Sequence, residues 1–121
     1  MMERSALHAY LLAKPGTTEE RPFGPETAVF KVMGKMFALV PDDSPLRINL
    51  KCDPNDALFL RDIYTAVQPG YHMNKRHWNT VIYDGSIPLD VFHSMIDDSY
   101  DLVVKTLRKA DREKLAAQSA Q

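Results

Sequence analysis

Hydrophobic and polar residues alternate most regularly in the segment LRINLK, which spans residues 46–51. Three apolar and three polar positions follow one another strictly there: Leu46, Arg47, Ile48, Asn49, Leu50 and Lys51. Successive side chains of a strand point to opposite faces of a sheet. The pattern therefore predicts a strand with one face in the core and one basic, polar and hydrated face, as in an antiparallel sheet.

Three further segments have the composition of strands. AVFKVMGKMFALV (residues 28–40) is rich in valine and phenylalanine and has a turn signal at MGK, so it predicts two strands joined as a hairpin. HWNTVIYD predicts a strand through Tyr83, ended by the pair Asp-Gly. In the polar segment TTEERPFGPET we expect a loop with a short strand around residues 20–23.

Helical spacing of apolar residues occurs in three places. Residues 5–13 predict a first helix, with Ser5 as a candidate N-cap and a Pro-Gly pair as its stop. Asp53 is the candidate N-cap of a second helix, which runs to about Tyr64. We expect its buried positions to include Leu60, Ile63 and Tyr64. A longer apolar stripe predicts a third helix from about Pro88 to Arg108: Leu89, Phe92, Ile96, Val103 and Leu107.

Length indicates one domain over residues 1–121, in which about 110–121 form a polar tail that frays. No apolar run approaches the ~20 residues of a membrane span, and the N-terminal segment does not resemble a signal peptide. The chain has one cysteine, which excludes an internal disulfide. We therefore expect a cytoplasmic protein without a membrane partner. Because the net charge is −1, nucleic-acid binding would need a local basic patch.

Motifs for catalysis or metal binding are missing from the sequence. His72 and His77 are five residues apart, which suits neither a helical pair nor a zinc knuckle, so we expect no metal site. Cys52 precedes a helix N-terminus, where a thiol can become reactive. It also continues the alternation of the preceding strand, and this favours a core position. With no Walker or dinucleotide motif either, we expect no cofactor and favour a non-enzymatic function, with catalysis left open.

The segment PGYHMNKRHWNTV, residues 69–81, is the candidate binding element. Lys75 and Arg76 suit phosphate contacts, whereas Asn74 and Asn79 suit base edges or backbone. His72 and His77 would add hydrogen bonds, and the cations of the strand-rich middle would add supporting charge: Lys31, Lys35, Arg47 and Lys51. The alternative is a purely structural role, in which the segment is an exposed turn and Trp78 anchors it in the core.

Several segments carry a resemblance to a known family. PFGP, VFKVMGKMFAL, INLKCDP, PGYHMNKRHWNTV and SYDLVVKTL occur in order between Pro15 and Leu107, and together they resemble the MmcQ/YjbR-like family of small bacterial proteins. The resemblance implies an α+β fold with a frataxin (CyaY)-like two-layer arrangement, in which helices pack on one face of an antiparallel sheet. It also implies DNA binding through a "double-wing" arrangement of that sheet.

The sequence thus predicts a protein that binds DNA weakly through the sheet face and the 71–79 loop. Two alternatives stay open. A flat sheet face can bind a protein or peptide. A small-molecule or anion pocket could also form around His72, Arg76 and His77.

Overall fold

The computed structural model describes residues 3–71 and 73–119, which form one sheet and a layer of helices. In chain order the elements are α1 (Arg4–Leu12), β1 (Thr17–Glu20), β2 (Thr27–Val32), β3 (Lys35–Pro41), β4 (Arg47–Lys51), α2 (Pro54–Ile63), β5 (Val67–Pro69), β6 (Trp78–Ile82), α3 (Leu89–Lys105) and α4 (Lys109–Ser119). The predicted α+β class is confirmed.

The six strands form a single antiparallel sheet in the order β1-β2-β3-β4-β6-β5. The predicted hairpin joins β2 to β3. Its turn uses the left-handed backbone region at Met33 (φ 49°) and Gly34 (φ 84°). Strand β5 was not anticipated. It ends at Pro69, which has no N–H to donate and is tolerated because β5 lies at an edge of the sheet.

The helices cover one face of the sheet, as predicted. Leu7 and Leu11 of α1 join Phe92, Ile96 and Val103 of α3 in the main core, where they meet inward-facing strand residues. On α2 only Ala57 is buried, because this helix lies toward the β5 end of the sheet. The main core therefore lies between α1, α3 and the middle strands.

Ser99 of α3 joins two strands where their pairing stops. The described register between β3 and β4 consists of Ala38 with Leu50 and Leu39 with Asn49. Beyond it, the fully buried Ser99 Oγ donates to the carbonyl of Phe37 (2.6 Å) and accepts from the N–H of Lys51 (2.8 Å). A single hydroxyl thus satisfies one buried carbonyl and one part-buried N–H.

The structure also differs from the expected elements at other points. The short strand expected around residues 20–23 lies earlier in the chain, as β1. Residues 109–119 form α4, a stretch expected to be a polar tail, because Leu115 packs into the core. The first helix begins at Arg4, so Ser5 is not its N-cap. Ile63 is 51% exposed at the end of α2. Cys52 follows β4 and is half-buried rather than a core residue.

Candidate functional site

The face of the sheet without helices is partly covered by apolar side chains. Val29, Leu39 and Trp78 form a small second core on this face, and the partly buried Met36 and Met73 pack against it. Met73 comes from the loop between β5 and β6, which therefore folds over the sheet. The face of the sheet that was predicted to be hydrated is therefore apolar at its centre. Trp78 is 8% exposed, which agrees with its interpretation as a buried anchor.

A groove of about 700 Å³ lies on this face, and we call it the open-face groove. Its lining includes Phe23 from the β1–β2 loop and Tyr71 from the β5–β6 loop. These rings are 65% and 62% exposed. Met36, Leu39 and Met73 also line the groove. Two exposed aromatic rings facing a mostly apolar floor form a surface that favours ligand binding over hydration.

A directional hydrogen-bond chain underlies this groove. The backbone N–H of Tyr71 donates to Thr80 Oγ1 (2.9 Å), and that hydroxyl donates to Asn49 Oδ1 (2.5 Å). Because its oxygen is engaged, Asn49 has its amide nitrogen left to donate, and that nitrogen donates to none of the described residues. Asn49 lines the groove and is only 7% exposed. The groove therefore contains a fixed hydrogen-bond donor in apolar surroundings.

Ion pairs neutralise most of the cations beside the groove. Arg47 Nη1 lies 2.8 Å from Asp43 Oδ1, and Arg21 Nη1 lies 2.7 Å from Asp42 Oδ2. Lys31 Nζ is 3.4 Å from Glu20 Oε1 at the outer strands. The strand register places Lys31, Arg47 and Lys51 on this face, as the basic-patch hypothesis required. Its charge is nevertheless mixed rather than basic.

The 71–79 loop presents three of its predicted contact residues to solvent. Asn74, Lys75 and Arg76 are exposed. The Asn74 side chain accepts from the backbone N–H of Arg76 (3.0 Å), and Lys75 Nζ donates to the carbonyl of Gly70 (3.3 Å). These bonds shape the turn without neutralising either cation.

The remaining candidate residues lie apart from that turn. Asn79 is 2% exposed, accepts from Arg61 Nε (2.7 Å) and donates to the carbonyl of Ala57, so its side chain faces α2 and is not available to a ligand. Lys35 Nζ donates to the carbonyl of Thr106 (3.0 Å), at the C-terminal end of α3. His77 is half-buried, and His72 lies outside the described residues.

Arg61 is a structural residue of the loop that the sequence did not reveal. Besides Asn79, its guanidinium donates to the carbonyls of Lys75 and Trp78. One α2 side chain thus fixes both ends of the turn. A lone arginine in an amphipathic helix gives no sequence signal for such a role. The sequence gives only a weak signal that Phe23 belongs to a site, because it is an aromatic residue in a polar Pro-Gly loop. It gives no such signal for Asn49, which lies in a regularly alternating strand.

The described residues offer no cluster of three or more His, Cys, Asp or Glu side chains that would hold a metal ion. Across residues 3–71 and 73–119, no helix is long and apolar enough to cross a membrane. Burial raises the pKa of the Cys52 thiol to about 11, and nearby Asp56 and Asp53 add to the shift. This thiol is therefore protonated near neutral pH and is poorly suited to act as a nucleophile.

These features define a small α+β protein with helices on one face of its sheet and a ligand-sized groove on the other. The model of the YjbR family matches residues 12–102. The chain therefore belongs to the YjbR family, as the sequence motifs predicted.

Relatives and solved structures support this assignment. The chain is similar to the uncharacterized protein YbdF of Escherichia coli O157:H7, with 45% identity over 98 residues that cover 78% of each chain. It shares 34% identity with the uncharacterized YjbR of Escherichia coli K12 over 115 residues, which cover 94% of this chain and 98% of that protein.

Two crystal structures have the same fold. The Deinococcus radiodurans protein DR2400, which has a DUF419 domain, gives a TM-score of 0.88 at 38% identity, over 96% of this chain and 89% of the other. A Pseudomonas syringae protein gives 0.73 at 32% identity, over 84% and 98% respectively. Similarity to frataxin stays a prediction.

Proposed function

We propose that this YjbR-family protein is a non-enzymatic recognition module that binds an extended polypeptide segment in the open-face groove. The observation that carries the proposal is the Asn49 amide, which lines a mostly apolar groove and donates to no described residue. A peptide carbonyl is the complementary acceptor. The peptide side chains on either side of that carbonyl would pack against Phe23 and Tyr71.

The dimensions of the groove support a ligand of this kind. Its volume of about 700 Å³ is in the range of about 300–1,000 Å³ that is usual for ligand sites. Methionines adapt to side chains of different shape, and Met36 and Met73 supply them here. The exposed rings are typical anchors of protein interfaces. A linear segment with alternating apolar residues would satisfy all three features.

The charge at the groove disfavours a phosphate backbone. Glu26, Asp42 and Asp43 border it, and Arg47 is already paired with one of them. A duplex placed there would bring phosphates against these carboxylates, whereas a neutral peptide would not. A polypeptide therefore fits the groove better than DNA does.

Selection from a random linear peptide library tests the proposal. We expect binders with alternating apolar residues whose binding changes the fluorescence of Trp78, the single tryptophan, beneath the groove. The double variant Phe23→Ser/Tyr71→Ser should weaken binding by about a hundredfold, because each exposed anchor is worth ~1–2 kcal/mol. Both side chains are exposed, so the variant should fold normally.

A matched control comes from another exposed apolar pair. Leu58→Ser/Phe59→Ser alters two α2 residues that are each 62% exposed and lie away from the groove. Peptide affinity should be unchanged in this variant. Equal affinity of the selected peptides for wild type and Phe23→Ser/Tyr71→Ser would refute the site.

DNA binding through the 71–79 loop is the second candidate function. It is favoured by Lys75 and Arg76, which are exposed and have no carboxylate partner among the described residues. With two such cations, affinity would be low and would fall modestly as the salt concentration rises. Asn74 lies in the same turn and could add one hydrogen bond to the backbone.

Titration with duplex DNA at several salt concentrations tests this candidate. Saturable binding that is lost in Lys75→Ala/Arg76→Ala, but kept in Arg108→Ala/Lys109→Ala, would support the loop as the interface. The control removes two exposed cations from the other end of the chain. If both double variants behave alike, any binding is nonspecific and the candidate fails.

A further inference from the structure

A second groove lies on the helical side of the molecule, between α2 and α3. It has a volume of about 460 Å³, and we call it the α2–α3 groove. Its apolar lining comes from the sheet and from both helices: Leu50, Phe59, Leu60, Val81, Met95 and Leu102. This groove is separate from the open-face groove, because the sheet lies between them.

The apolar surface of the groove continues onto the outside of α2. Leu58 and Phe59 are each 62% exposed, and Ile63 is 51% exposed. Three large apolar side chains within six positions of one helix are unusual for a surface that faces only water. They extend the apolar surface beyond the groove, and the combined surface is about as long as a short helix or strand.

Carboxylates surround this apolar surface. Asp53, Asp56, Asp98 and Asp101 line the groove together with two lysines, Lys51 and Lys105, and of these two the strand register places Lys51 on the opposite face of the sheet. None of these groups forms an ion pair in the part of the chain that the structure describes. Burial, followed by repulsion from Asp101 and Asp97, raises the pKa of Asp98. A cationic ligand would relieve that repulsion.

We propose that the α2–α3 groove docks a basic amphipathic segment of a partner protein. Its apolar side chains would cover Phe59 and Leu102, and its lysines or arginines would pair with Asp56, Asp98 and Asp101. The occupant follows from charge complementarity, since four carboxylates against two lysines select for a cationic segment and against an acidic one.

The probe is a synthetic helical peptide built from Lys and Leu, compared with its Glu/Leu counterpart of equal length. Binding is followed in protein labelled with ¹³C at the methionine methyl groups. Met95 lines this groove, whereas Met36 and Met73 line the other one. We expect the basic peptide to shift the Met95 methyl signal alone, and the acidic peptide to shift none of the three.

Two variants separate docking from nonspecific attraction. Asp98→Asn/Asp101→Asn should weaken binding of the basic peptide by about tenfold, since two exposed charge pairs are lost. The variant should be at least as thermostable as wild type, because like-charge repulsion is removed. The control Asp111→Asn/Glu113→Gln removes two charges from α4 and should bind as tightly as wild type.

Three results would overturn the proposal. The first is equal weakening in both charge variants, and the second is a basic-peptide response at Met36 and Met73 instead of Met95. The third is a concentration-dependent dimer that buries Leu58 and Phe59, because a second copy would then occupy the surface. The Phe23→Ser/Tyr71→Ser variant should leave Lys/Leu peptide binding unchanged, so failure here is distinguishable from failure at the open-face groove.

Discussion

Replacement of Ser99 by alanine should destabilise the fold more than the loss of one surface hydroxyl would suggest. Its Oγ is fully buried and bridges the carbonyl of Phe37 and the N–H of Lys51. Alanine leaves the buried carbonyl of Phe37 and the part-buried N–H of Lys51 without that partner, at a cost of about 1–3 kcal/mol each. The better helix propensity of alanine returns about 0.5 kcal/mol.

The expected net loss is therefore about 3 kcal/mol in the free energy of unfolding. For a domain of this size it corresponds to a fall in Tm of roughly 12 °C. Urea unfolding followed by Trp78 fluorescence and a thermal melt would measure both quantities. Ser94→Ala is the matched control, since Ser94 is exposed on the same helix and its replacement should change stability by less than about 0.5 kcal/mol.

A loss below about 1 kcal/mol for Ser99→Ala would refute the reasoning. It would mean that the backbone groups of Phe37 and Lys51 find other partners at little cost. The pairing that stops beside Ser99 includes Leu39 with Asn49, and both residues line the open-face groove. A confirmed large loss would show that α3 stabilises the β3–β4 junction next to these two groove residues.

Three further predictions follow from local geometry. Because the pKa of Cys52 is raised to about 11, thiol labelling near pH 8 should be far slower than that of free cysteine and should accelerate up to about pH 11. Burial opposes ionisation of Asp97, but hydrogen bonds, of which the one from Lys14 is the strongest, hold its pKa below the usual value. The Lys14–Asp97 pair should therefore stabilise the fold above about pH 4, and this stabilisation should be lost as the pH falls below that value. Thermal melts of Asp97→Asn should lack this pH-dependent contribution. Gly70→Ala should cost about 1–3 kcal/mol, because a Cβ would lie 2.8 Å from the Cβ of Trp78; an unchanged Tm would contradict the close approach.

Local patterns in the sequence predicted most of the fold. The alternation in LRINLK identified β4, the MGK turn identified the β2–β3 hairpin, and Asp53 caps α2 as expected, accepting from the N–H groups of Asn55 (3.0 Å) and Asp56. Each of these features depends on residues close together in the chain. Strand β5 was missed because three residues that include a proline carry no strand signal.

The site was less predictable because it depends on contacts between distant segments. Clustered cations and asparagines suggested the 71–79 loop, but the sequence could not show that Arg47 pairs with Asp43 or that Asn79 faces α2. Nor could it show that Phe23 and Tyr71 face one groove from two different loops. The sequence shows which charged residues are present, but only the fold shows which of them form ion pairs with one another.

The open-face groove is tested most directly by the methionine methyl spectrum of the protein with a selected linear peptide. Met36 and Met73 line the groove, and Met33 and Met95 pack on the helical side, so the same spectrum contains its own controls. The account predicts that the peptide shifts the signals of Met36 and Met73, leaves Met33 and Met95 in place, and loses this effect in Phe23→Ser/Tyr71→Ser. Unmoved Met36 and Met73 signals at saturating peptide would contradict it.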